Sequence, residues 1–242
     1  MGLIVTIIVG LFTLLGSIIV IKTKNSKKIV DYSISIGFGV LFALIIFDLL
    51  PECFGAINGK YNVMISLVII FFLVLVGIII LRILDKFIPD HDTHDKNNLI
   101  HVGLITALAL FVHNFLEGMV IYTSFNGELR FAIMLGLGVA MHNIPLGMSI
   151  TSFYYEKGWK RALLLSLVVS LSTFVGGFFA FIFNGVFVDE FLSGIILSIT
   201  LGMLLYIVLF ELLPHIIESR NKKAALFGVI VGILLLLFSM II

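Results

Sequence analysis

Residues 111–121 read FVHNFLEGMVI and lie inside an apolar run that extends from residue 99 to residue 124. Such a run is long enough to cross a bilayer as a helix, because about 20 apolar residues at ~1.5 Å each span the hydrocarbon core. Ionisable side chains at that depth cost roughly 2.5–3.5 kcal/mol each on insertion scales. We therefore expect His113 and Glu117 to face the interior of a helix bundle, where they can pair or bind an ion.

Similar apolar runs follow one another along the whole chain of 242 residues, which is 61% hydrophobic and only 12% charged. The runs are continuously apolar rather than alternating, which favours spanning helices over a β-barrel. We predict a single all-α polytopic membrane domain over residues 1–242. Its eight expected transmembrane segments are 2–21, 31–50, 62–83, 99–124, 130–154, 161–184, 191–213 and 224–242.

The basic residues predict the orientation of the chain. Thirteen of the fifteen Lys and Arg residues follow segments 1, 3, 5 and 7, while only Lys60 and Arg130 lie on the other side. The side rich in Lys and Arg is normally cytoplasmic. Both termini are therefore expected outside the cell.

A short acidic motif occurs twice with opposite polarity. Segment 2 ends in FDLLPE, residues 47–52, at the outer face, and segment 7 ends in FELLPH, residues 210–215, at the inner face. Segments 4 and 5, between them, are also antiparallel. This pattern predicts a 3+2+3 inverted-repeat arrangement with a site near the midplane.

A second polar pair stands in segment 5, where residues 140–150 read AMHNIPLGMSI. The hairpin around residue 127 places His142 at the same depth as His113, and helical spacing brings His113, Asn114 and Glu117 to one face. The predicted metal ligands are His113, Asn114, Glu117, His142 and Asn143, a donor set that suits Zn²⁺, Fe²⁺ or Mn²⁺. The alternative is that these side chains only bridge two helices by hydrogen bonds.

The sequences HNFLEGM and HNIPLGM, with LLPE in segment 2 and YIVLFELLPH in segment 7, resemble the ZIP family of divalent-metal transporters. The resemblance covers essentially the whole chain. It implies uptake of zinc, and often iron, manganese or cadmium, into the cytoplasm by alternating access. It also assigns the five residues named above as metal ligands.

Two positions depart from the family pattern. Leu146 stands where members with two metals have a bridging Glu, and Thr173 stands where they have a further acid. Glu117 is then the only anion expected at the site, and two divalent ions close together would repel strongly in a low-dielectric environment. We expect a single-metal site.

Other polar groups suggest stations for a cation on its way in and out. Asp48 and Glu52 are placed at the outer end of segment 2, and Glu211 and His215 near the inner end of segment 7. The cytoplasmic loop 85–98 contains a further possible metal-binding string, His91, Asp92, His94 and Asp95. The alternative for all of them is a role as interfacial or solvated residues.

The predicted function is inward transport of one Zn²⁺-like ion per cycle, with Fe²⁺, Mn²⁺ and Cd²⁺ as other substrates. The alternatives are a non-transporting or regulatory membrane protein with a vestigial metal site, and an intramembrane metalloenzyme. The single cysteine, Cys53, excludes an internal disulfide or a thiolate metal cluster. We expect a plasma-membrane protein without enzyme activity or organic cofactor. Its partners would be divalent metal ions and the lipid bilayer, with a homodimer left open and no nucleic acid.

Overall fold

The computed structural model describes residues 1–23, 27–87, 99–125, 129–183, 190–219 and 221–241. Within these ranges the chain consists of helices and short connections and contains no strand. Eight of its helical spans are long and apolar enough to cross a membrane. The predicted all-α polytopic fold is thereby confirmed.

Six spans are single helices, and two are interrupted by a wide π-helical turn. In chain order the elements are α1 (Gly2–Lys22), α2 (Lys27–Leu44), the first π segment (Ile45–Leu49), α3 (Leu50–Asn58), α4 (Val63–Asp85), α5 (Leu99–Ser124), α6 (Leu129–Tyr154), a 3₁₀ turn (Tyr155–Lys157), α7 (Trp159–Ile182), α8 (Glu190–Tyr206), the second π segment (Ile207–Leu212), α9 (Leu213–Glu218) and α10 (Lys222–Ile241).

The second and seventh spans are longer than the sequence predicts. They continue to Asn58 and Glu218 instead of ending near residues 50 and 213. A proline inside a helix clashes with the carbonyl four residues before it, yet Pro51 and Pro214 do not end these spans. In both spans a π turn directly precedes the Leu-Pro step and widens the helix, so each proline stands in the first turn of the helix that follows.

The helices pack as two bundles. The first, here called the site bundle, contains α1, α5, α6 and α7; the second, the flanking bundle, contains α2, α3, α4, α8, α9 and α10 with both π segments. Tight crossings in the site bundle depend on small residues. A Cβ atom at Gly118 of α5 would lie only 1.9 Å from the Thr173 carbonyl oxygen of α7, so only glycine permits this approach.

The contact between the bundles runs mainly along α6. Ser149 Oγ of α6 donates a hydrogen bond to the Ser33 carbonyl of α2 at 2.9 Å, and α6 also packs against α10. At the other edge α5 contacts α8 and the second π segment. The interface therefore passes beside α5 and α6, the two helices that carry the predicted ligands.

Candidate metal centre

Three of the predicted ligands converge on one point between α5 and α6. His142 Nε2 lies 2.9 Å from Glu117 Oε1, to which it is hydrogen-bonded, and His113 Nε2 lies 3.0 Å from the same oxygen. Helical spacing brings His113 and Glu117 together, because residues four apart share a face. His142 reaches them from the neighbouring helix, so the centre exists only when α5 and α6 pack together.

The separations between these atoms suit a small divalent cation. Zinc lies about 2.0–2.2 Å from imidazole nitrogen and carboxylate oxygen, so neighbouring ligand atoms around a tetrahedral ion are about 3.3 Å apart. The two nitrogen–oxygen separations would need to widen by only about 0.4 Å to admit such an ion. The three side chains therefore form a preorganised set of two imidazole nitrogens and one carboxylate oxygen.

The two histidines of the centre are deeply buried, and the centre is incompletely hydrogen-bonded. His113 is 1% exposed and His142 is 4% exposed. Within the described ranges, Nδ1 of His113 and Oε2 of Glu117 are buried without a hydrogen-bond partner. Buried polar atoms are normally paired. If these side chains only bridged the two helices, we would expect these atoms to have hydrogen-bond partners.

The two asparagines stand beside this centre. Asn114 Nδ2 donates to the Val169 carbonyl of α7 at 3.4 Å, while its side-chain oxygen has no hydrogen-bond partner among the described residues. Asn143 is fully buried, and both its polar side-chain atoms lack partners within the same ranges. Asn114 thus faces α7, and the metal-ligand role of both asparagines stays a prediction.

Asp48 and Glu52 line the same cavity as the centre. This cavity of about 60 Å³ is bounded by both acids together with His113 and Glu117. Asp48 also borders a second cavity of about 270 Å³, next to His142 and between α6 and α10. The two acids are therefore part of the central site's surroundings, and their role as stations on the way in stays a prediction.

Further carboxylates lie near the centre, although Glu117 is the one acid grouped with both histidines. Three carboxylates, those of Asp48, Glu52 and Glu117, face one small cavity. Asp48 was predicted at the end of segment 2, whereas the first π segment and α3 carry the span nine residues further than Leu49. More negative charge surrounds the centre than the helix motifs indicate.

A larger cavity leads away from the centre toward the first turn of α8. It measures about 580 Å³, shares Glu52, Leu116 and Val120 with the central cavity, and has Glu190 and Thr123 on its wall. Glu190 was not predicted as a functional residue. A carboxylate at the start of a span resembles any interfacial acid in the sequence, and only the cavity distinguishes it.

A second group of possible ligands lies at the opposite end of the helices. Ligand atoms of Asp85, His101 and Glu211 all lie within 4.8 Å of one another. Glu211 was a predicted station, but Asp85 and His101 were missed because nothing local marks the last residue of α4 or the third residue of α5. His215 was predicted with Glu211, yet its Nδ1 donates to the Glu211 backbone carbonyl at 2.8 Å and it is outside this group.

The remaining predicted positions have simpler surroundings. Leu146 is 1% exposed and packs in the main apolar core. Thr173 is fully buried, and its Oγ1 has no hydrogen-bond partner in the described part of the chain. The loop residues His91, Asp92, His94 and Asp95 lie outside the described residues.

Comparison with known families decides the classification. Residues 89–240, well over half of the chain, match the family described as ZIP Zinc transporter.

The chain belongs to this ZIP family.

Curated relatives agree with that assignment over nearly the full length. Three proteins each named zinc transporter ZupT are 25% identical (Chlorobium chlorochromatii), 27% identical (Streptococcus mutans) and 26% identical (Clostridium perfringens). The alignments cover 98%, 98% and 100% of this chain and 95%, 96% and 95% of the relatives. The resemblance seen in the sequence motifs is confirmed at the level of the ZIP family.

Proposed function

We propose that this ZIP family member carries divalent metal ions, with zinc as the main substrate, into the cytoplasm through a single midplane site. One observation supports this most directly: two imidazoles and a carboxylate from α5 and α6 converge at ion-binding distances in a buried cavity. The zinc-transporter names of the ZIP family and of relatives aligned along the whole chain point to the same function.

The carboxylates suggest a route by which the ion approaches the centre. Glu190 and Glu52 line the large cavity, and Glu52 and Asp48 line the small one that contains Glu117. Negative groups in a cleft with apolar walls raise the local concentration of cations. In our proposal the ion passes these acids in turn and then binds between His113, Glu117 and His142.

Departure toward the cytoplasm would use the second group of acids and histidine. Asp85, His101 and Glu211 offer one nitrogen and two carboxylates to a cation. Glu211 belongs to the second π segment, just as Asp48 belongs to the first. This parallel supports the proposed 3+2+3 inverted repeat, in which each acidic-Leu-Leu-Pro motif serves one side of the membrane.

The finer points of the proposal follow from the charge pattern and the family. The excess of Lys and Arg supports a cytoplasmic location for the connections after α1, α4, α6 and α9, and with it both termini outside the plasma membrane. Iron, manganese and cadmium ions are further proposed substrates, because the nitrogen and oxygen donors do not select strictly for zinc. We propose a transporter without enzyme activity or organic cofactor, in which Glu117 acts as a ligand.

Uptake of radioactive zinc into proteoliposomes tests the function and the centre together. Wild-type protein should accumulate zinc above empty vesicles. Glu117→Gln should reduce the initial uptake rate at low zinc by at least about tenfold, because a neutral amide replaces the one anionic ligand that both histidines contact. The measurement is the initial rate over a series of zinc concentrations.

The matched control is Glu218→Gln, the same chemical change at an exposed carboxylate of α9. This variant should transport like the wild type. Absence of wild-type uptake above empty vesicles would overturn the transport proposal. Equal uptake by the Glu117→Gln variant and the wild type would overturn the assignment of the centre.

A further inference from the structure

The two bundles are joined by a polar contact at the end of α5 that lies far from the large cavity. The Asp85 carboxylate at the end of α4 accepts hydrogen bonds at both oxygens. His101 Nε2 of α5 donates to Oδ1, and Tyr206 Oη of α8 donates to Oδ2 at 3.0 Å. Asp85 and Tyr206 belong to the flanking bundle, whereas His101 belongs to the site bundle.

Partial burial strengthens this contact. The side chains of His101 and Asp85 are only 13% and 23% exposed, and Tyr206 is 7% exposed. An ion pair or charged hydrogen bond away from bulk water is screened much less than one on an open surface. The ring of Tyr206 also packs against Phe210, with centroids 5.0 Å apart, so its hydroxyl is held in place.

The contact lies on the opposite side of the centre from the large cavity. His101 precedes His113 by twelve residues, which is about 18 Å along a helix, while Thr123 on the wall of the large cavity follows Glu117 by six. The structure therefore combines a cavity at one end of α5 with a direct connection between the bundles at the other.

We propose that Asp85, His101 and Tyr206 form a latch that holds the two bundles together at the inner side and stabilises the outward-facing state. The latch rests on the proposed function, because alternating access requires one bundle to move against the other. Breaking it lets the site bundle shift, closes the large cavity and opens the inner side. Asp85 and His101 also belong to the second group of possible ligands, so an ion bound there would compete with the latch.

Accessibility of a cysteine in the large cavity measures the state of the latch without any transport. The reporter is Thr123→Cys in a Cys53→Ser background, reacted from outside with a membrane-impermeant thiol reagent in the absence of zinc. Asp85→Asn and His101→Gln should each slow this reaction by about tenfold, since the latch no longer favours the outward-facing state. Tyr206→Phe should slow it by a smaller factor, about threefold, because it removes one hydrogen bond.

Tyr206→Phe separates the latch from a role in metal binding, because the change leaves the three side chains of the ligand group, Asp85, His101 and Glu211, in place. The matched control is Tyr32→Phe, the same change at an exposed tyrosine of α2, which should leave the rate unchanged. The exchanged pair Asp85→His with His101→Asp should restore the wild-type rate, because it keeps the contact between the bundles.

Unchanged or faster modification in Asp85→Asn, His101→Gln and Tyr206→Phe would overturn the latch. A rate reduced in the single variants and also in the exchanged pair would overturn it as well. The zinc-free readout keeps this test separate from the proposed function, which fails only if wild-type vesicles take up no zinc.

Discussion

Glu117 holds two imidazoles through a single oxygen atom, and its second oxygen has no hydrogen-bond partner among the described residues. A cation at the centre would replace these imidazole–carboxylate contacts with three bonds of its own. An ion binds there only if its bonds to the three side chains are more favourable than the contacts and the hydration that are lost. The choice of side chains at neighbouring positions therefore controls affinity, and Leu146 is the clearest case.

Leu146 lies one helical turn beyond His142 and is buried in the apolar core. We predict that Leu146→Glu lowers the apparent melting temperature of the metal-free protein, because a charge replaces a buried apolar group. Added zinc should then raise it by about 3 °C or more beyond the wild-type shift, as expected for at least tenfold tighter binding at about 1.4 kcal/mol. Thermal unfolding in detergent with and without zinc measures both effects.

Leu146→Gln is the control for this prediction, because glutamine has nearly the same size as glutamate and is also polar, but carries no charge. It should destabilise the metal-free protein without an enlarged zinc response. An equal zinc-induced shift in the two variants would show that a carboxylate at position 146 does not reach the metal.

Among the elements, the two π segments share one structural role. Each begins after a regular helix, contains an acid, and ends just before Leu-Pro. The wide turn changes the direction of the side chains within it. As a result Asp48 lines the central cavity, and Glu211 meets Asp85 and His101 at the other end.

The crossing of α5 and α7 fixes the position of the metal ligands on α5. We predict that Gly118→Ala destabilises the protein by about 1–3 kcal/mol, because the new methyl group would meet the Thr173 carbonyl oxygen at 1.9 Å. The apparent melting temperature should fall by about 2–10 °C, as measured by thermal unfolding in detergent.

The control for packing is Gly55→Ala in α3, where an added Cβ atom would have no neighbour within 4 Å. This change should leave stability unchanged or raise it slightly, since alanine favours a helix more than glycine does. Similar melting temperatures for the Gly118→Ala variant and the wild type would mean that α5 and α7 can separate without cost.

At the scale of the whole molecule, the centre lies entirely in the site bundle, whereas Asp48, Glu52, Asp85 and Glu211 belong to the flanking bundle. The ligands would therefore move relative to these acids whenever one bundle moves against the other. This arrangement suits alternating access, in which the same centre meets the outer acids in one state and the inner acids in the next.

The proposed orientation predicts which turns face the outside of the cell. In a Cys53→Ser background, Lys60→Cys should react with a membrane-impermeant maleimide in intact cells, because it lies in the turn between α3 and α4. Glu156→Cys, in the 3₁₀ turn after α6, should react only after the membrane is permeabilised. Both side chains are exposed, so the reversed labelling pattern would mean that the termini are cytoplasmic.

The helical membrane fold and the pairing of His113 with Glu117 could be predicted from the sequence, because both depend on local properties. Long apolar runs must be helical in a bilayer, since every backbone hydrogen bond has to be satisfied within the segment. Helical periodicity brings residues four apart to one face. The approach of His142 to Glu117 was also predictable, because a short hairpin forces α5 and α6 to pack side by side.

The position of Asp48 and the group formed by Asp85, His101 and Glu211 could not be predicted in the same way. Asp48 lines the cavity beside Glu117 from a separate bundle, and its direction depends on a π turn for which the sequence has no clear signal. His101 reaches Asp85 from the next helix in the chain, and Tyr206 reaches it from a helix 121 residues further on. Apolar patterning places each helix in the membrane but leaves its rotation and neighbours open, and only packing between the bundles decides which polar side chains meet.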